Sequence, residues 1–113
     1  MTLSDLADRL SLKSFAAPGG LARPVGGGYV SDLLSDVIAH GRKDDVWVTL
    51  QVHPNIVAVA VLKELAAVIL VNGREPAPET VEQAEKRGVA LLGSPLSAFE
   101  LVGRLHGMGV KGP

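Results

Sequence analysis

A chain of 113 residues with 47% hydrophobic side chains is long enough for one domain with a true core, and the length predicts a single domain over residues 1–113. Eleven basic against twelve acidic residues, with only two Phe, one Tyr and one Trp, leave no basic run to track a phosphate backbone and few rings to stack bases, which argues against a nucleic-acid partner. The absence of cysteine excludes disulfides, thiol catalysis and thiolate metal sites together. The start, MTLSDLADRL, lacks a basic segment followed by an apolar one, and the apolar stretch from Ile56 to Val71 is interrupted by Lys63-Glu64. Neither a signal peptide nor a membrane partner is predicted, and the expected location is the cytoplasm. An aliphatic chain with near-zero net charge also points to apolar surface shared with a partner, a homodimer or a docked enzyme.

In chain order, Leu3, Leu6 and Leu10 stand at helical spacing with Ser4 as the expected cap. LKSFAA reads as a short strand, and Pro18-Gly19-Gly20 as a turn. LARPVGGGY is expected as a second strand, confined to a sheet edge by Pro24. Ser31 is the expected cap of SDLLSDVIAHG, whose Leu33, Leu34, Val37 and Ile38 form one face and which Gly41 ends. DVWVTLQV is a strand rich in β-branched residues. HPNIVAVAVLKEL fits two readings. One is a helix capped by Asn55; the other is a strand reached through a hairpin at His53-Pro54-Asn55. The helix is preferred, because Lys63-Glu64 offers no turn residue before the strand AAVILV. PETVEQAEKRG carries Pro78 and Glu79 at its start and Lys86 and Arg87 before Gly88, the charge order that a helix dipole favours. VALLG is a further strand, and SPLSAFELVGRLHGMG a helix with Ser94 as cap and Pro95 at its first position.

Alternating strands and helices predict an α/β domain with a mixed, mostly parallel sheet flanked by helices. Ligands of such sheets bind outside the carboxyl ends of the strands. The polar turns His53-Pro54-Asn55, Asn72-Gly73-Arg74-Glu75 and Gly93-Ser94-Pro95 would share that edge, each ahead of a helix N-terminus that favours an anion. Candidate ligand-binding residues are therefore His53, Asn55, Asn72, Gly73, Arg74, Ser94 and Ser97. Arg74 offers a bidentate contact to a carboxylate or phosphate, although an ion pair with Glu75 or Glu79 is the commoner fate of such a side chain. GGGYVSDLLSD lacks the Lys-Ser/Thr of a phosphate loop. Asp32 and Asp36 lie four apart but sit among Ser31 and Ser35, which suits a solvated face better than a metal site. His40, His53 and His106 have no zinc spacing. No cofactor, metal or catalytic set is predicted.

The blocks GGYVSDLLSDVIAHG, VTLQVHPNIVAVAVLKELAAVILVNGREP and GVALLGSPLSAFELVGRL, spanning Gly27 to about Leu105, resemble stand-alone members of the DRTGG-domain family. That family is similar to the N-terminal domain of HPr kinase/phosphorylase and, more distantly, to that of Mur ligases. The Asp-Arg-Thr-Gly-Gly string that names the family is absent, and the resemblance assigns no individual ligand-contacting residue. It implies a compact α/β domain without kinase activity, appended to enzymes or to CBS domains in a regulatory role. The Mur relatives add the expectation of a nucleotide-like ligand. The function expected from the sequence is thus a non-catalytic regulatory module for a small anionic metabolite or nucleotide. The alternative is an interaction or dimerisation module with no ligand.

Overall fold

The computed structural model describes residues 1–113 as a sheet of five strands in the order β1-β5-β4-β3-β2, flanked by five α-helices. The strands are β1 (Lys13–Ala16), β2 (Gly27–Val30), β3 (Asp45–Thr49), β4 (Ala67–Leu70) and β5 (Ala90–Gly93). The helices are α1 (Leu3–Leu10), α2 (Leu34–His40), α3 (Asn55–Leu62), α4 (Pro78–Arg87) and α5 (Ala98–Gly107). Strands β2 to β5 run parallel, whereas β1 pairs with β5 antiparallel, so the predicted mixed, mostly parallel sheet is observed.

Every residue of β3, β4 and β5 is buried, as expected of strands covered on both faces. The two-residue period sorts their side chains. Trp47, Val68, Leu70 and Leu91 pack with α2, α3 and α4, whereas Val46, Val48, Ile69 and Leu92 pack with α1 and α5. Parallel strands taken in sequential order, joined by crossovers of one hand, put the helices between them on the same face. Helix α5, which follows the last parallel strand, crosses to the other.

The ambiguity over residues 53–65 resolves as helix. Strands β3 and β4 are parallel neighbours, with Val46 opposite Ala67, and parallel neighbours require a crossover that a hairpin cannot supply. Ile56, Val57, Val59 and Ala60 are its buried residues.

Several helix starts differ from expectation. Helix α1 is capped by Thr2, not Ser4: Thr2 Oγ1 accepts from the Asp5 N–H at 3.3 Å while the Thr2 N–H donates to Asp5 Oδ2 at 2.8 Å. Ser31 does not cap α2, because its N–H donates to the Val48 carbonyl at 3.3 Å and its own carbonyl accepts from Trp47 Nε1 at 2.8 Å, prolonging the attachment to β3. The helix begins three residues later, and only Leu34 and Val37 turn inward; Leu33 and Ile38 are exposed. Asn55 is the first residue of α3 rather than its cap and its side chain makes no capping bond; the Val57 N–H that a cap there would take donates to the Pro54 carbonyl at 3.0 Å. Ser97, not Ser94, caps α5, accepting from the Glu100 N–H at 3.3 Å.

The expected strand LARPVGGGY is also shorter. Pro18–Ala22 forms a 3-10 helix, Pro24 makes only an isolated bridge to Thr2, and β2 starts at Gly27 on the sheet edge. Gly27 is there for close approach. A Cβ at this position would stand 2.8 Å from the Lys111 carbonyl oxygen and 2.9 Å from Asp45 Oδ1.

Candidate functional site

The parallel register brings the ends of β2, β3, β4 and β5 to one edge of the sheet, and the antiparallel β1 adds its first residue, Lys13, opposite Gly93. The connections after β4 and β5 then part: α4 lies on one face and α5 on the other. A sheet opens a crevice where successive connections leave to opposite faces. A cavity of about 200 Å³ lies there, lined among others by Lys13, Phe15, Gly73, Arg74, Glu75 and Ser94.

Backbone bonds hold its walls. Asn72 and Gly73 both have positive φ, 57° and 65°, and the Arg74 N–H closes the turn on the Val71 carbonyl at 3.1 Å. Asn72 and Gly73 direct their N–H groups at the carbonyls of Leu96 (2.8 Å) and Ser94 (2.9 Å), and the Ser94 N–H reaches the Leu70 carbonyl at 2.8 Å. These amides lock the two loops together and are not available to an anion. Ligand-directed chemistry is left to side chains and to the Glu75 N–H, which makes no hydrogen bond within the chain.

Three of the sequence candidates, Gly73, Arg74 and Ser94, line this crevice. Asn72 shapes the turn behind it. Ser97 caps α5, and His53, on the connection between β3 and α3, and Asn55, the first residue of α3, are both exposed. Arg74 is exposed and has no carboxylate within 4.0 Å; Glu75 pairs with Lys13 instead, Nζ to Oε1 3.8 Å. Ser94 is 3% exposed, and its Oγ accepts from the Leu96 N–H at 3.1 Å. Phe15 forms the floor beside Gly93, where a Cβ would stand 2.5 Å from the ring's Cε2. Lys13 and Phe15 had no signal in the sequence as ligand residues, because their strand reaches the crevice only through the antiparallel pairing with β5.

The aspartates considered for metal serve structure. Asp32 Oδ1 accepts from the Thr49 hydroxyl at 2.9 Å and the Leu50 N–H at 2.7 Å. Asp36 accepts from the Tyr29 hydroxyl, 2.9 Å to each oxygen, and lies 3.0 Å from His40 Nδ1. The Ser31 side chain, the Tyr29 hydroxyl and the His40 ring hold the Asp36 carboxyl below its ordinary range, and the same bond to Asp36 pushes the Tyr29 hydroxyl up. No group of three metal-ligating side chains occurs. A second cavity, about 260 Å³ and mostly apolar, lies beside the edge strand β2, between Tyr29, Val102 and Val110.

No family model matches the chain, and no curated protein matches its sequence. Among solved structures, the CBS and DRTGG domains of the regulatory region of Clostridium perfringens pyrophosphatase, complexed with the activator diadenosine tetraphosphate, match with a TM-score of 0.72 at 17% identity. The match covers 89% of this chain and 44% of that one, so the chain spans less than half the length of the regulatory region it resembles. This likeness is one of fold, and it supports a DRTGG-like architecture. No helix is long and apolar enough to cross a membrane.

Proposed function

We propose that residues 1–113 form a single DRTGG-like regulatory module, non-catalytic and cytoplasmic, that binds a small anionic metabolite or nucleotide in the crevice between the β4 and β5 loops. The observation that carries this reading is Arg74, which stands at the mouth of a switch-point crevice with no protein carboxylate to satisfy it. Lys13 and the buried Ser94 bring a second cation and a hydroxyl to the same cavity. The nucleotide held by the pyrophosphatase regulatory region supports placing nucleotides first among the ligands to try. Thermal unfolding against nucleotides and phosphorylated metabolites tests the proposal. A ligand at about 100 times its dissociation constant adds roughly 2.7 kcal/mol to the native state, an obvious rise in midpoint for a small domain. A flat panel rejects it.

A second reading, a dimerisation or enzyme-docking module without a ligand, is favoured by large apolar side chains left in solvent: Phe99 is 90% exposed, Leu62 65% and Leu33 64%. Light scattering at micromolar concentration separates the self-associating form of this reading from a monomeric sensor.

A further inference from the structure

The crevice contains its own counter-ion, whose role rests on the ligand site proposed above. Lys13 Nζ lies 3.8 Å from Glu75 Oε1 and 5.0 Å from the centroid of the Phe15 ring. Lys13 opens β1 and Glu75 belongs to the loop after β4, so their ion pair ties the edge strand to that loop across the mouth of the cavity. Arg74, one residue before Glu75, pairs with nothing. The Ser94 hydroxyl accepts one hydrogen bond and donates to no protein acceptor. At about 200 Å³ the cavity falls below the roughly 300–1,000 Å³ of pockets that enclose a whole small molecule, so it suits one end of a ligand.

We propose that Glu75 is a built-in competitor that holds Lys13 until a dianionic phosphoryl group displaces it, so that the crevice selects phosphate monoesters over singly charged carboxylates. A carboxylate ligand at Lys13 would exchange one single negative charge for another and leave Glu75 unpaired beside it, with no net gain. A phosphate monoester brings a second charge and a third oxygen. Arg74 can take that charge through a bidentate contact, and the Ser94 hydroxyl can donate to an oxygen. Displacement is easy because both partners are open to water, with side chains 66% and 73% exposed for Lys13 and Glu75, and such a pair holds an equilibrium back by no more than about fivefold.

The test titrates the whole chain with AMP, inorganic phosphate and acetate at constant ionic strength, following amide chemical shifts of the β4 and β5 loops. Wild type is compared with Glu75→Gln, Lys13→Ala and Arg74→Ala, all exposed positions that leave the core intact. The expected result is binding of AMP and phosphate but not acetate by wild type. Glu75→Gln should tighten the dianions by about two- to fivefold, and both cation deletions should weaken them. Wild-type affinity for AMP should rise between about pH 5 and 7 as the monoester gains its second charge near pH 6. Acetate binding as tightly as phosphate overturns the selectivity. Dianion binding that weakens in Arg74→Ala but is unchanged or weaker in Glu75→Gln overturns the competitor while leaving the site standing. Silence of all three probes toward wild type and Glu75→Gln removes the site, and the competitor with it.

Discussion

At Gly93 the absence of one carbon decides the local packing. The Phe15 ring occupies the space a Cβ would need, so Gly93→Ala must push the ring off β5 or bend the strand. Overpacking of that kind costs about 1–3 kcal/mol, and chemical denaturation should show it as a lower midpoint at unchanged slope. Arg74 is the opposite case, exposed and holding nothing, so Arg74→Ala should leave stability unchanged within about 0.5 kcal/mol. If Arg74 makes a charge-assisted bond to a ligand, the same change should weaken binding by about 1.5–3 kcal/mol, read by titration. Asp36 gives a pH signature. Its folded pKa is lowered beneath the ordinary 3.8, so its stabilising effect is fully present above that value and is lost as pH falls through the folded one. Replacing Tyr29 with Phe removes one of the bonds responsible, and acid unfolding monitored by circular dichroism should then show a smaller loss of stability below about pH 4.

Among the elements, helix starts reveal how local and long-range forces divide. Charge order, Pro78 and Gly88 delimit α4 as the sequence predicts, since all these signals act within one turn of the helix end. The starts of α2 and α5 are set instead by how far the preceding strand stays attached to its neighbour. Ser31 and Ser94 look like caps but remain bonded to β3 and β4, and the helices begin only after that attachment ends. For α5, therefore, Ser97→Ala should cost about 1 kcal/mol as the loss of an N-cap, measured by equilibrium unfolding. Helix α3 belongs to the core on burial alone. Its Ile56 is fully buried against the sheet, and Ile56→Ala should cost about 2–5 kcal/mol.

For the whole molecule, the decisive fact is that α2, α3 and α4 share a face while α5 and α1 share the other. That division creates one place where neighbouring connections diverge, between β4 and β5, and the loop carrying Arg74 borders it. The loops after β2 and β3 feed helices on the same face and open no such gap, which is why His53 and Asn55 stand apart from Gly73, Arg74 and Ser94. The exposed Phe99 and Leu33 lie on opposite sides of the sheet, since α5 and α2 do. A self-associating chain would use one face or the other, and replacing Phe99 or Leu33 with Ser in turn should change the light-scattering mass in one variant only.

Much of this was legible in the residues. The β-branched composition and helix-end chemistry act over a few neighbouring positions, so the strands from Asp45 onward and the polar turns at their ends followed from the sequence by itself. HPNIVAVAVLKEL, by contrast, admitted helix and strand alike, with helix preferred, until the parallel pairing of β3 and β4 decided it. A mostly parallel sheet was legible too, because strand-helix alternation admits few other arrangements, but the order of its strands was not. Tertiary structure alone decided the rest. Local patterns cannot show that β1 runs antiparallel beside β5, delivering Lys13 and Phe15 to a crevice whose other walls lie far along the chain. Nor can they show that Glu75 turns from Arg74 to Lys13, or that the amides of Asn72 and Gly73 are engaged by the neighbouring loop. Each depends on which groups meet across the sheet, and that meeting is fixed by burial and hydrogen bonding between segments distant in sequence.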